Sequence, residues 1–254
     1  MRRVGGVAAV VGLLVAGCGN AGHSGPGSLR GSITVAAASS LTDAFTKIAA
    51  GFRERHPGAK VALDLDASSA LALRIRHGAP ADVFASADEV SMRRLVDEDL
   101  VRGTPTVFAR NRLEIVVKKG NPSHVRTLAD LARVGTVSLC VETAPCGTLA
   151  AEALRMAGVT IPEGRTTRAP NARAALTAVA PGDADAGIVY ATDVLAARGS
   201  ASGVPIPDAQ NVLAVYPVAS LKGSKHPALA KEFADYVSSP DAERTLRRLG
   251  FVAP

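Results

Sequence analysis

From Ser32 onward, short apolar runs of strand length alternate with segments whose apolar residues recur every three or four positions. No other feature restricts the fold as much. Strands that alternate with helices close a core most simply by lying side by side, largely parallel, with the helices packed on the sheet faces. Strands are expected at Ile33–Ala37, Val61–Leu65, Asp82–Ser86, Leu113–Lys118, Thr136–Val141, Ala186–Tyr190 and Val212–Ala219. Helices are expected at Leu41–Arg55, Ser69–His77, Glu89–Asp97, Thr127–Ala132, Thr148–Ala157, Asn171–Val179, Ala191–Ala197, Pro227–Val237 and Asp241–Leu249. In the first helix Leu41, Phe45, Ile48, Ala49 and Phe52 share one face, as an amphipathic helix requires. The fold class is α/β. A chain of 254 residues with 47% hydrophobic residues can bury a sizeable core as one large or two small domains.

The first 18 residues differ in kind. Arg2 and Arg3 precede an apolar run, Val4–Ala16, too short to span a bilayer as a mature helix, and the pattern is that of an export signal. The ending Leu14-Val15-Ala16-Gly17-Cys18 resembles a bacterial lipobox, which implies removal of residues 1–17 and acylation of Cys18. An ordinary secretory signal with an incidental Cys is the alternative. Residues 18–31, rich in Gly and Ser, read as a flexible tether about 20 Å long. This places the folded body in the cell envelope, lipid-anchored at the outer face of the cytoplasmic membrane. Two further cysteines, Cys140 and Cys146, favour a disulfide in that oxidising compartment. A turn across the five residues between them can bring their Cα atoms within the roughly 4.4–6.8 Å a bridge needs.

The net charge of +6 comes from 29 scattered basic residues that form no block; without Arg2 and Arg3, 27 basic residues against 23 acidic ones leave +4. Aromatics amount to 4% with no Trp, so stacking platforms are absent too, and both features argue against nucleic acid as a partner. There is no G-x-S-x-G, H-E-x-x-H, Walker A or G-x-G-x-x-G motif. Asp64 and Asp66 share a strand face without a paired acid or His nearby, and Arg74 and Arg76 read as solvated surface. What recurs instead is short polar residues where helices begin: Ser39-Ser40 (with Asp43 spaced for a capping box), Ser68-Ser69, Pro145-Cys146-Gly147-Thr148 and Pro170-Asn171. Any one of these could be a simple cap. Several together at the carboxyl ends of α/β strands form a site suited to an anion.

The stretches "ITVAAASSLTDAF", "ASSALALRIRHGAPADVFASAD", "VETAPCGTLAAEAL" and "GIVYATD" resemble, in order and spacing, the molybdate-binding proteins of bacterial ABC transporters, over almost all of Ser32–Pro254. The resemblance implies a two-lobed periplasmic-binding-protein fold, each lobe a mostly parallel sheet flanked by helices, with the ligand cleft between them. The first lobe would take residues 32–109 plus 218–254 and the second 110–217, hinged near Arg110–Leu113 and Tyr216–Val218. It implies an oxyanion held without a salt bridge by the hydroxyls of Ser40, Ser68 and Tyr190 and the backbone N–H groups of Cys146 and Ala172. Ser39 and Ser69 are the alternates for the two serines. No catalytic residue, cofactor or metal cation is implied. The expected partners are molybdate or tungstate and an ABC permease, and the expected state is a monomer. Molybdate at neutral pH is a dianion whose oxygens only accept, whereas hydrogen phosphate would bring a proton into a donor-only cleft, at about 1–3 kcal/mol for an unpaired buried group. A sulfate, thiosulfate or phosphate receptor of the same fold, or a thiol-dependent enzyme using Cys146, are the competing readings.

Overall fold

The computed structural model describes Met1 and residues 29–254. Residues 2–28, with the expected export signal, Cys18 and most of the tether, lie outside the described residues.

In the first lobe β1 (Gly31–Ala38) pairs in parallel with β2 (Ala59–Asp66) on one side and β3 (Val83–Ala85) on the other. Two helices make the crossovers, α1 (Thr42–Arg55) and α2 (Ser68–Arg76). After α3 (Glu89–Asp97), β4 (Val101–Asn111) forms the far edge, and β10 (Ala214–Leu221) returns antiparallel between β3 and β4. The second lobe repeats the plan. Its sheet has the order β7 (Thr166–Ala169), β6 (Val137–Cys140), β8 (Ala186–Tyr190), β5 (Leu113–Lys118), β9 (Ala201–Pro205). Its helices are α4 (Pro145–Met156), α5 (Ala172–Val179) and α6 (Ala191–Ala196); α7 (Pro227–Val237) and α8 (Pro240–Arg248) pack back on the first lobe.

Both sheets are mixed: each has two parallel and two antiparallel pairings, fewer parallel ones than the alternation suggests. The parallel pairs come from strands wound through helices. The antiparallel pairs involve β5 and β10, the strands that enter a lobe directly from the other one.

The second crossing falls before the expected Tyr216–Val218. β4 runs to Asn111 and β10 begins at Ala214, paired with it, so the links are Arg112 and residues 206–213 rather than 216–218. Arg112 pairs with Asp208, and the Asn211 side chain bonds both the N–H (3.0 Å) and the C=O (2.9 Å) of Leu113, tying one crossing to the other. The chain end joins them where Val252 and Arg110 exchange backbone hydrogen bonds.

Three strands escape the sequence pattern, β4, β7 and β9, and all three are sheet edges. Edge strands are half-exposed and tolerate Gly, Pro and charge, and β4 carries Gly103 and Pro105 where an apolar run would be needed to reveal it. The helix expected at Thr127–Ala132 is a short 3-10 turn, Leu128–Ala132, capped reciprocally by Thr127 and Asp130.

Candidate functional site

The four helix starts singled out in the sequence converge. Ser39, Ser40, Asp66, Ser68, Cys146, Asn171, Ala172 and Tyr190 line one small cavity between the lobes, about 10 Å³. That is far below the roughly 300–1,000 Å³ of sites for organic ligands.

Local structure explains why polar groups face it. No side chain caps the 3-10 turn Ser39–Leu41, α1, α2 or α4. The capping box expected between Ser40 and Asp43 is not formed; the chain enters α1 through the 3-10 turn, and Asp43 instead pairs with Arg173. Only Asn171 caps, its side-chain oxygen accepting from the Ala174 N–H at 3.0 Å. The serines are therefore buried and not used as caps: Ser40 is 4% exposed and Ser68 1%. Ser69 does not line the cavity, whereas Ser39 does beside Ser40. Cys146 and Ala172 occupy the first turns of α4 and α5, where backbone N–H groups have no intrahelical acceptor.

Hydrogen bonding sets which protons the hydroxyls can give. The Ser68 Oγ accepts the Ala87 N–H at 2.9 Å, which leaves its own proton for the cavity. The Ser40 Oγ lies 2.9 Å from the Tyr216 hydroxyl, and the Asn111 Nδ2 donates to that hydroxyl at 3.4 Å. The Asn111 amide is oriented, because its Oδ1 accepts the Arg112 N–H and its Nδ2 reaches the Thr192 Oγ1 at 2.8 Å. Tyr216 thus accepts from Asn111 and shares with Ser40 a hydrogen bond in which either hydroxyl can donate; where Tyr216 donates, the Ser40 proton is left for the cavity. Asn111, Thr192 and Tyr216 were not legible as site residues. The Tyr190 hydroxyl is buried and has no hydrogen-bond partner among the described residues. Burial above all pushes its pKa well above the ordinary value, so it remains a donor.

Cys140, at the end of β6, is bonded to Cys146, with Cα atoms 5.8 Å apart. The bridge removes the thiolate that a Cys146-dependent reaction would need. The loop beneath it is tight: a Cβ on Gly147 would run into the carbonyl oxygen of Val141. Arg74, read from sequence as solvated surface, bonds Asp66 at 2.8 Å and Asp64 at 3.0 Å, giving those carboxylates the partner they lacked in the sequence. Arg76 pairs with Glu98 and stands away from the cavity. Burial raises the Asp66 pKa, but hydrogen bonds from Arg74, the Ala67 N–H and Asn171 outweigh it and hold the group below its usual value. Among the described residues no group of three or more His, Cys, Asp or Glu could hold a metal ion.

A model of the family described as bacterial extracellular solute-binding protein matches residues 33–252. The chain belongs to this family. Among curated proteins it is 37% identical over 248 residues to the molybdate-binding protein ModA of Mycobacterium tuberculosis strain H37Rv, covering 96% of this chain and 94% of that one. The Azotobacter vinelandii periplasmic molybdate-binding protein superposes with a TM-score of 0.80 at 22% identity, covering 87% of this chain and 99% of that one. The sulfate-binding protein SubI of M. tuberculosis superposes almost as well, with a TM-score of 0.79 at 21% identity over 87% and 86% of the two chains. The solute-binding fold is thus shared by receptors of different oxyanions, and the lining of the cleft has to carry the distinction.

Proposed function

We propose that this solute-binding protein captures molybdate, and tungstate with it, outside the cytoplasm and delivers it to an ABC importer, without catalysing a reaction. The reading rests on one observation above the others: the hydroxyls of Ser40, Ser68 and Tyr190 meet the first turns of α4 and α5 at one cavity, with the Ser68 proton left free by the Ala87 N–H and the Tyr190 phenol kept protonated by burial. A cleft of donors with two helix N-termini favours an anion whose oxygens only accept. The M. tuberculosis relative of 37% identity supports the same ligand. Ser40, Ser68 and Tyr190 would donate through side chains, and Cys146 and Ala172 through backbone N–H groups. No cofactor is needed.

Asp66 favours a second reading. Its carboxylate lines the cavity and accepts three hydrogen bonds, leaving one acceptor position of about four for a protonated oxyanion such as hydrogen phosphate. A thermal-shift panel of molybdate, tungstate, sulfate, phosphate and chromate separates the two. A ligand at about a hundred times its Kd stabilises by about 2.7 kcal/mol. Shifts confined to molybdate and tungstate support the proposal, and a larger shift with phosphate or sulfate overturns it.

The lobes would open and close about Arg112 and residues 206–213. The protein would act as a monomer held at the outer face of the cytoplasmic membrane through acylated Cys18, docking a permease when loaded. Cys18→Ala should move it from the membrane to the soluble fraction or block processing; unchanged fractionation with normal processing would refute the anchor.

A further inference from the structure

A carboxylate beside an oxyanion site is electrostatically out of place. We propose that Asp66 latches the cleft shut through Asn171, and that Arg74 is what allows this carboxylate to stand beside a bound dianion. The inference rests on the oxyanion reading of the site.

Asp66 is the last residue of β2, in the first lobe, and its two oxygens do separate work. Oδ1 accepts the Ala67 N–H at 2.8 Å and, across the cleft, the Asn171 Nδ2 at 3.1 Å. Oδ2 takes the Arg74 Nη1 at 2.8 Å, and the other guanidinium nitrogen lies 3.0 Å from Asp64. Both ends of the Asn171 amide are engaged. Its nitrogen reaches Asp66 while its oxygen caps α5, the helix whose first residue, Ala172, lines the cavity. Closing the lobes therefore brings a first-lobe carboxylate onto the group that fixes the start of a second-lobe helix. Two residues on the tie is repeated, since the Arg173 Nη2 bonds the Asp43 Oδ2 at 2.7 Å. An unscreened negative charge at Asp66 would repel a dianion, and Arg74 sits on the side of the carboxylate not used by the latch. A neutral acceptor at position 66 could make the latch but could not also engage Arg74 as an ion pair.

The test is a calorimetric titration with sodium molybdate of the unaltered protein, Arg74→Gln, Arg74→Lys, Asp66→Asn and the double variant Asp66→Asn/Arg74→Gln, at two salt concentrations, with the melting temperature of each unliganded variant as a folding control. Arg74→Gln should weaken binding about tenfold or more, and by less at the higher salt, because repulsion is screened. Arg74→Lys keeps the charge and most of the affinity. The double variant, with the carboxylate gone, should return to within about threefold of the unaltered protein. Arg76→Gln, which removes a positive charge away from the cavity, should bind unchanged. The latch is read from dissociation rates: Asp66→Ala should release molybdate faster, and Asp66→Asn, whose amide oxygen still accepts from Asn171, should stay within about twofold. Arg74→Gln binding as the unaltered protein does, or a double variant no better than Arg74→Gln, would overturn the masking role, and equal release from Asp66→Ala and Asp66→Asn would overturn the latch. An unaltered protein that binds no molybdate fails the site reading itself, and this inference with it.

Discussion

The Ser68 hydroxyl accepts one hydrogen bond from the protein and has its proton left to give, the Ser40 hydroxyl shares one with Tyr216, and the Tyr190 phenol has its proton and no partner among the described residues. Hydrogen bonds to a charged acceptor contribute about 1.5–3 kcal/mol, so Ser40→Ala, Ser68→Ala and Tyr190→Phe should each weaken molybdate binding roughly ten- to hundredfold in calorimetry. Tyr216→Phe touches no ligand and only frees the Ser40 hydroxyl to turn, so its loss should be smaller than that of Ser40→Ala. Asp193 presents a different case. It is wholly buried on α6, with Oδ2 accepting the Tyr190 N–H at 3.4 Å and Oδ1 3.8 Å from the Arg173 Nε. Burial pushes its pKa from 3.8 up to about 6, against the pull of Arg173. The folded protein therefore holds this proton more tightly than the unfolded chain. The contribution of Asp193 is most favourable below the unfolded pKa of 3.8, falls as pH rises through about 6, and is constant above that. Melting curves across this window should show Asp193→Asn gaining on the unaltered protein as pH rises; a difference independent of pH would refute the assignment.

Among the elements, α4 shows most plainly what a covalent link adds. The bridge from β6 to its first turn closes a loop with a sequence separation of 6, for which chain entropy gives about 2 kcal/mol, the low end for disulfides. Reduction should lower stability by about that amount and should also weaken molybdate binding, since the Cys146 N–H loses its tether. Melting and titration with and without reductant check both, and intact mass of non-reduced protein showing two free thiols would refute the bridge. The same helix marks the limit of periodicity. The apolar rhythm of α4 is readable from Thr148, but the helix starts at Pro145, because Pro suits a first helical turn and its missing N–H costs nothing there. Interior strands such as β1 and β8 announce themselves as continuous apolar runs because both faces are covered, whereas β7 and β9, each paired on one side only, carry Thr166, Arg168 and Ser202 and do not. In the cleft, Ser40 and Ser68 were legible as short polar residues at helix starts, and Tyr190 only through the family resemblance. Asn111, Tyr216 and Asp66 were not, since the partners that tie them to the cleft are 81 or more residues away along the chain and only the folded sheets bring them together: Asn111 lies 105 positions from Tyr216, and Asp66 lies 105 from Asn171.

The whole molecule is two similar sheets joined by two short links, so its large-scale freedom is rotation of one lobe against the other. The ties Asp66–Asn171 and Asp43–Arg173 hold the lobes together on the cleft side. Small-angle scattering should show a smaller radius of gyration with molybdate than without. Asp43→Asn should shift the unliganded protein toward the larger value, while a radius unchanged by ligand would mean that capture does not close the cleft. The aromatic residues are divided unevenly between the lobes. All six Phe lie in the first lobe, and with no Trp and three Tyr the chain has few groups that emit in the ultraviolet. Tyr190 and Tyr216 stand at the cleft with ring centroids 6.1 Å apart, whereas Tyr236 lies away from it under the Arg55 guanidinium, 5.1 Å from the ring. One of the three chromophores thus lines the place where the anion would sit, and a second stands directly behind it. The protein carries its own optical gauge of occupancy: saturation with molybdate should alter tyrosine emission, and Tyr190→Phe should abolish most of the change without any external label.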